Sequence, residues 1–160
     1  MPSEPTDQEL LARAVGLALD NVADGQLPFG ALVVDAEGSV VATGVNTALR
    51  DHDPTAHAEL AAVRAACRRL GTLQVAGATL VSSCEPCAMC HAAALVAGVT
   101  RIVYAAPKED VPDLGVPFPQ VVADMQAVWR RTGSDVIAHV PTPGAAEPFS
   151  RFLATVGGAR

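Results

Sequence analysis

Segments with helical periodicity alternate along this chain with short apolar segments, and this alternation constrains the fold. The apolar side chains of residues 7–23 recur at helical spacing after the capping-box pair Thr6 and Glu9, which predicts a first helix. The same periodicity analysis predicts helices over 56–70, 86–97, 121–131 and 147–156, and strands over 31–34, 40–45, 78–82, 101–105 and 136–140. Strands separated by helices predict one α/β domain over residues 1–160, built as a three-layer α/β/α sandwich.

Charge and composition exclude several classes of function. The formal net charge of −6 is unfavourable for binding a polyanion, because such affinity depends on Lys and Arg that neutralise phosphates. We therefore expect a small-molecule ligand rather than nucleic acid, and we interpret the Arg68-Arg69 and Arg130-Arg131 pairs as solvated helix faces. No segment approaches the roughly 18 apolar residues of a membrane span, and residues 1–9 do not resemble a signal peptide. The expectation is a cytoplasmic protein without a membrane partner.

Three of the four cysteines lie between Cys84 and Cys90. In a reducing compartment this clustering indicates metal binding or catalysis rather than disulfides. Cys87 and Cys90 are spaced so that both sulfurs project from one face of a helix at its first turn, where the helix dipole favours thiolates. Together with His57 they form a donor set that suits one zinc ion and leaves the fourth tetrahedral position open for water. An open position is typical of catalytic zinc.

Glu59 follows His57 by two residues, at the start of the same predicted helix. When His57 binds the metal, this carboxylate is within reach of the water, and it is suited to take a proton and later deliver it to a leaving amine. Glu59 is therefore predicted to be a catalytic proton shuttle rather than a ligand. The pattern H-x-E followed by P-C-x-x-C is the signature of zinc nucleobase deaminases.

Over about residues 10–106 the chain resembles the cytidine deaminase-like superfamily. The resemblance is carried by Pro28-Phe29-Gly30-Ala31, Asn46, Asp53-Pro54-Thr55-Ala56-His57-Ala58-Glu59 and Ser83-Cys84-Glu85-Pro86-Cys87-Ala88-Met89-Cys90. It implies a five-stranded mixed sheet flanked by helices, a homodimer, and a free nucleobase or nucleoside as substrate. It also implies that Asn46 hydrogen-bonds the substrate ring, with Phe29 packed near it and Ala58 in the same substrate-binding group. The backbone N–H of Cys87, at a helix N-terminus, is expected to stabilise oxygen charge at the attacked carbon.

Within the superfamily the chain is most similar to bacterial guanine deaminases, with tRNA adenosine deaminases and cytosine deaminases as near relatives. This resemblance favours hydrolytic deamination of a guanine-type purine. Guanine deaminases carry a further acidic residue in the loop after the fourth strand, where this chain has Phe118. Either Asp110 or Asp113 supplies that acid, or both are solvated charges. The segment starting at Glu147-Pro148-Phe149 is similar to the helix that closes the pocket in those enzymes.

Other interpretations stay open at the level of sequence. A tRNA adenosine deaminase or a cytosine or cytidine deaminase shares the same catalytic residues, although the net charge disfavours a tRNA substrate. Cys84 and Cys87 also have the spacing of a thioredoxin-like redox pair. Finally, Cys84 added to His57, Cys87 and Cys90 would complete a four-ligand structural site, as in a non-catalytic zinc-stabilised binding module.

Overall fold

The computed structural model describes residues 4–132 and 135–158, in which helices and strands alternate. The α-helices of these ranges are α1 (Asp7–Ala23), α2 (Ala48–Asp51), α3 (Ala58–Leu70), α4 (Ala88–Val96), α5 (Gln120–Thr132) and α6 (Glu147–Gly157). The strands are β1 (Gly30–Val34), β2 (Val40–Val45), β3 (Thr79–Cys84), β4 (Arg101–Ala106) and β5 (Ile137–His139). A single turn of 3-10 helix spans Lys108–Asp110. No helix within the described ranges combines the length and the apolar character needed to cross a bilayer.

The strands form one mixed sheet in the order β2-β1-β3-β4-β5. β1 is antiparallel to both β2 and β3, whereas β3, β4 and β5 are parallel to one another. The predicted five-stranded mixed sheet is therefore confirmed. Because of these directions, the start of β1 and the ends of β2, β3 and β4 all lie at one edge of the sheet. The segments that carry the predicted site residues are attached at this edge.

Helices cover both faces of the sheet, which confirms the three-layer arrangement. On one face α1 buries an apolar stripe, and α6 packs beside α1. On the other face α3 and α4 pack small side chains against the sheet. The first core contains Leu11, Ala14, Leu32, Val81 and Val103, and the second contains Ala62, Ala66, Ala94, Val33, Leu80 and Ile102.

A close approach fixes α3 against β2. A Cβ atom added to Gly44 would lie 2.3 Å from the carbonyl oxygen of Ala58 and 2.4 Å from the backbone nitrogen of Ala62. Both neighbours are backbone atoms, so a larger residue at this position would force the helix to move. Because His57 and Glu59 lie at the start of α3, this contact also sets their position relative to the sheet.

The two helices that carry the predicted metal ligands begin later than the sequence predicted. We expected them to start at 56 and 86, with Pro86 in a first turn, but they start at Ala58 and Ala88. His57 and Cys87 are instead the N-cap residues and have extended backbones, with φ/ψ of −76°/153° and −68°/169°. Pro86 lies one residue before the N-cap of α4 rather than in its first turn, because proline is compatible with extended as well as helical backbone.

The edge strand β2 contains one extra residue. Val33 pairs with Ala42 and Val34 pairs with Val40, so Val41 stands unmatched in a bulge. The carbonyl oxygen of Val41 accepts a hydrogen bond of 2.9 Å from Arg69 Nη1. Arg69 is exposed, as expected of a solvated helix face, but its guanidinium also binds the backbone of the sheet.

Candidate metal centre and its cavity

Three side chains converge at the N-termini of α3 and α4. His57 Nδ1 lies 3.7 Å from Cys87 Sγ and 3.4 Å from Cys90 Sγ, and the two sulfurs are 3.7 Å apart. Around a tetrahedral zinc ion with ordinary bond lengths, two sulfurs would be about 3.8 Å apart, and a nitrogen and a sulfur about 3.6 Å apart. The donor set and its spacing therefore fit zinc.

A turn before α3 presents His57 to the sulfurs. Asp53 Oδ1 accepts hydrogen bonds of 2.8 Å from the backbone nitrogen and 2.7 Å from the hydroxyl of Thr55. The His57 N–H donates to the Thr55 carbonyl at 2.8 Å, and the Ala61 N–H donates to the His57 carbonyl at 3.0 Å, the first bond of α3. The D-P-T-A-H run therefore holds the imidazole at the entrance to the helix.

The end of β3 places the two cysteine ligands. The Glu85 N–H donates to the Ala106 carbonyl at 2.8 Å, so the pairing between β3 and β4 extends to the residue after β3. Cys87 caps α4, and Cys90 follows within its first turn. Cys84 is buried but does not join the cluster of His57, Cys87 and Cys90 that the described residues form. The geometry thus does not build the four-ligand structural site.

Hydrogen bonding among the ligands favours one thiolate. The pKa of Cys87 is lowered to about 4, chiefly because of its side-chain hydrogen bond with Cys90 and also because of its contact with His57. The pKa of Cys90 is raised, chiefly by the same contact with Cys87 and then by burial. Burial lowers the pKa of His57, but the contact with Cys87 and the negative charge of Glu59 outweigh burial and raise it overall.

Glu59 lies beside the cluster and is almost fully buried, with 6 % of its surface exposed. Its Oε1 accepts a hydrogen bond of 2.9 Å from Ser82 Oγ on β3. Burial raises the pKa of Glu59, although the nearby His57 acts in the opposite direction. A carboxyl group with a raised pKa is suited to hold a proton and release it again near neutral pH.

A cavity of about 280 Å³ opens beside these residues. This volume is slightly below the usual range of small-molecule sites, which begins at about 300 Å³. Its wall contains Leu27, Phe29, Asn46, His57, Glu59, Cys84, Glu85, Cys87, Lys108, Val111, Pro112, Asp113, Leu114, Val116, Pro117, Phe118 and Gln126. The segment after β4 therefore supplies about half of the lining, and the space suits one small ring system.

The structure brings Asn46 and Phe29 to this cavity, but not the side chain of Ala58. Asn46 Oδ1 accepts a hydrogen bond of 3.0 Å from the Ala48 N–H, which orients its carboxamide. Phe29 packs against Phe149 of α6 with ring centroids 5.9 Å apart. The Ala58 side chain is fully buried in the core under α3. Ala58 is not part of the cavity wall, so its predicted place among the substrate-binding residues stays a prediction.

The loop after β4 distinguishes the two candidate acids. Asp113 and Phe118 line the cavity, whereas Asp110 is not part of its wall. Asp113 is exposed, and its Oδ1 accepts a hydrogen bond of 2.8 Å from the Gly115 N–H. The Lys108 ammonium lies 4.6 Å from the centroid of the Phe118 ring. Of the two acids, only Asp113, at the rim, lies where a ligand in the cavity would meet it.

No local sequence pattern predicts the charged cluster formed by Glu85, Arg130 and Glu109. The buried Glu85 carboxylate accepts hydrogen bonds of 2.6 to 2.9 Å from Arg130 and one of 2.9 Å from the Lys108 N–H. Arg130 Nη1 also donates to Glu109 at 2.7 Å. Arg130 is exposed, as expected of a solvated helix face, but its guanidinium also fixes α5 to the segment between β3 and α4. The two partners are 45 residues apart in the sequence, so no local pattern indicates that they pair.

These features define a class of protein: an α/β/α sandwich with a His-Cys-Cys zinc site at one sheet edge and a buried carboxylate beside it. A model of the cytidine and deoxycytidylate deaminase zinc-binding region matches residues 4–106. The chain belongs to this zinc-binding deaminase family.

Several relatives extend this assignment. The chain is 46 % identical over 105 residues to a tRNA(Ile)-lysidine synthase of Deinococcus deserti, covering 66 % of this chain but only 20 % of that protein. It is 42 % identical over 109 residues to a guanine deaminase of Bacillus subtilis, covering 68 % of this chain and 69 % of the relative. It is also 38 % identical over 82 residues to a tRNA-specific adenosine deaminase of Aquifex aeolicus, covering 51 % and 54 %.

The fold is also similar to that of a solved guanine deaminase from Nitrosomonas europaea. The TM-score is 0.74 at 25 % sequence identity, and the match covers 93 % of this chain and 85 % of that one. The chain therefore matches this guanine deaminase over most of its length, whereas it spans about a fifth of the Deinococcus lysidine synthase.

Proposed function

We propose that this chain is a zinc-dependent hydrolytic deaminase of a free nucleobase or nucleoside, with a guanine-type purine as the favoured substrate. The observation that carries the proposal is the buried Glu59 carboxylate, which lines the same small cavity as His57 and Cys87 of the metal cluster. The extent of the similarity to guanine deaminases supports the choice of purine. The small cavity and the net charge of −6 support a free base over a polynucleotide.

Each side chain then has a role in hydrolysis. Zinc held by His57, Cys87 and Cys90 supplies the Lewis acidity that makes water a nucleophile near neutral pH. Glu59 accepts the proton of the attacking water and delivers it to the amino group, which leaves as ammonia while the ring gains a carbonyl oxygen. Ser82 holds one carboxylate oxygen of Glu59 in place.

The remaining site residues position the ring. Asn46 offers its amide nitrogen to a ring acceptor, because its oxygen is already bound by Ala48. Phe29 packs against the ring and is supported from behind by Phe149. The Cys87 N–H, at the start of α4, donates to the oxygen bonded to the carbon under attack, where negative charge develops.

The decisive test is ammonia release by the zinc-loaded protein from guanine, cytosine, adenine, isoguanine and their nucleosides. We expect turnover, with guanine as the best substrate. Glu59→Gln is expected to retain zinc, measured by elemental analysis, and to lose about 10²- to 10⁴-fold in turnover because the proton shuttle is removed. Glu37→Gln, an exposed carboxylate in the turn between β1 and β2, is the matched control and should retain full activity. Silence across the whole panel would refute the proposal.

Two other functions make different predictions in the same experiments. A tRNA adenosine deaminase, supported by the similarity to the Aquifex enzyme, would leave the panel unreacted and form inosine in a tRNA anticodon-loop substrate. A non-catalytic zinc module would tolerate Glu59→Gln with folding and function unchanged, because the buried carboxylate has no role in such a module.

We also propose that the protein acts in the cytoplasm as a homodimer. All four cysteines are free thiols, which suits a reducing compartment.

On α4 the apolar side chains of Leu95 and Val96 are 43 % and 78 % exposed, which supports contact with a second copy in the proposed homodimer. Sedimentation at micromolar concentration should give the mass of a dimer, and Val96→Glu should shift it toward the monomer. A monomeric mass for the unaltered protein would contradict the dimer.

A further inference from the structure

One buried polar side chain of the cavity has an oxygen without a hydrogen-bond partner among the described residues. Gln126 lies on α5, lines the cavity and has only 5 % of its surface exposed. Its Oε1 is buried and accepts no hydrogen bond from any described residue. Buried polar groups are nearly always hydrogen-bonded, and an orphaned one is costly to the folded protein. A group of this kind in a cavity wall indicates a partner that arrives with the ligand.

The position of Gln126 is fixed by its neighbour one helical turn later. Arg130 follows Gln126 by four residues and therefore projects from the same face of α5. Its guanidinium binds both oxygens of the buried Glu85 carboxylate, with the shortest contact at 2.6 Å. Glu85 precedes the metal ligand Cys87 by two residues. The carboxamide of Gln126 is thus held at a set position relative to the metal cluster.

Two acidic groups of the cavity wall already accept hydrogen bonds from the protein. Both Glu85 oxygens are bound by Arg130, and one also by the Lys108 N–H. The Oδ1 of Asp113 accepts the Gly115 N–H, and this residue is exposed at the rim. Gln126, by contrast, is a buried side chain of this wall that carries both an acceptor and a donor, and its acceptor is unpaired among the described residues.

We propose that Gln126 is a substrate-specificity residue that binds the lactam edge of an oxopurine, where a ring N–H stands beside a carbonyl oxygen. This inference rests on the proposed deaminase function. The carboxamide oxygen accepts the ring N–H, and the amide nitrogen donates to the neighbouring carbonyl. The two atoms stand side by side at the end of the side chain, so a ligand that meets the carboxamide edge-on engages both. A neutral amide matches this edge, whereas a carboxylate would only accept.

The test is Gln126→Met, which keeps the length of the side chain and removes its hydrogen bonding. Guanine and 2-aminopurine are titrated into zinc-loaded protein carrying Glu59→Gln, so that neither ligand is consumed. The two purines differ at the carbonyl position, because 2-aminopurine has a hydrogen there and no N–H beside it. Gln120→Met, an exposed residue of α5 whose Nε2 donates to Asp124, is the matched control. Thermal midpoints of the unliganded variants are measured in parallel.

We expect Gln126→Met to weaken guanine binding at least about tenfold and 2-aminopurine binding less than about threefold. We also expect its thermal midpoint to equal or exceed that of the parent, because the orphaned oxygen is gone. A change in guanine affinity below about twofold would overturn the proposal. Equal weakening of both purines with a lower midpoint would mark a structural residue and would also overturn it.

The outcomes separate this inference from the proposed function. If guanine binds but the protein with Glu59 intact releases no ammonia, the deaminase function fails, while the role of Gln126 in binding is still decided by the variant. If the deaminase is active on guanine and Gln126→Met leaves affinity unchanged, the inference alone fails. If the parent protein does not bind guanine at all, the inference and the choice of guanine fail together.

Discussion

Ser82 gives the clearest case of a single residue whose hydrogen bond serves the site. Its hydroxyl donates to Glu59 Oε1 at 2.9 Å from within β3, and both residues are buried. A hydrogen bond to the charged form of a carboxylate favours that form, so Ser82 opposes the effect of burial on the pKa of Glu59. The serine therefore favours the ionised form of Glu59, which the proposed function requires of a proton acceptor.

Ser82→Ala is expected to lower kcat/KM for ammonia release about tenfold and to leave zinc content unchanged, because one hydrogen bond to a charged group is lost while the metal ligands stay. Steady-state kinetics on the best substrate of the panel measures this. Ser150→Ala, on the exposed side of α6, is the control. Rates within twofold of the parent would show that Glu59 does not need this hydrogen bond.

At this scale the sequence predicted the metal cluster but not the polar groups around it. The convergence of His57, Cys87 and Cys90 is confirmed. It was predictable because each residue belongs to a short motif at a helix start. Gln126 and the Glu85–Arg130 pair escaped prediction, since their significance depends on which segments the fold places side by side. The roles assigned to Asn46, Phe29 and Ala58 stay predictions.

At the scale of elements, the contact between α3 and β2 positions half of the metal site. The Gly44→Ala substitution would bring a methyl group into the backbone of α3, and we expect it to destabilise the protein by about 1–3 kcal/mol. Because α3 begins beside His57, we also expect weaker zinc binding in competition with a chelator. Denaturant unfolding gives the free energy of unfolding.

Gly16→Ala is the control, and we expect it to change the free energy of unfolding in the opposite direction. Gly16 lies inside α1 with no atom within 4 Å of an added Cβ, so alanine should stabilise the protein by about 0.5–1 kcal/mol. If both glycine variants behaved alike, steric contact at Gly44 would not be the cause.

The attachment of α5 depends on an ion pair with one buried partner. Arg130→Met leaves the Glu85 carboxylate, whose side chain is only 2 % exposed, without its main partner. We expect a loss of about 1–3 kcal/mol in stability, because a buried charged group loses its hydrogen bonds. Thermal unfolding measures this, with Arg131→Met on the exposed neighbour as control. The double variant with Glu85→Gln should recover part of the loss, and no recovery would contradict this explanation.

Elements with a periodicity or an apolar run of their own were predictable, whereas the two shortest helices were not. The helix Asp7–Ala23 and the strand Val40–Val45 have the predicted bounds, because each shows its own periodicity or apolar run between clear boundaries. The four-residue α2 and the 3-10 turn at Lys108–Asp110 are too short to show any period. The loop that lines the cavity is irregular, so its path follows from packing rather than from local pattern.

At the scale of the whole molecule, the two apolar cores are separate from the metal ligands. Neither core cluster that flanks the sheet contains His57, Cys87 or Cys90. Zinc binding should therefore stabilise a fold that is already complete. At a zinc concentration a thousand times the dissociation constant, binding adds about 4 kcal/mol.

Removal of zinc by a chelator is expected to lower the midpoint of thermal unfolding by about 10 °C for a chain of this size. Circular dichroism at 25 °C should show unchanged helix and strand content, because the cores do not need the metal. Readdition of zinc should restore the midpoint. Unfolding at 25 °C on chelation would instead support a structural zinc site.

The bulge in β2 also affects the tendency of this protein to aggregate at high concentration. An open sheet presents edge strands, and an edge rich in valine invites strands of other molecules to add to it. Here Val41 interrupts the regular ladder, and the Arg69 guanidinium already binds its carbonyl oxygen. The opposite edge, β5, is only three residues long. Both edges are therefore poor templates for amyloid-like growth, so the chain can carry valine-rich strands and stay resistant to ordered aggregation.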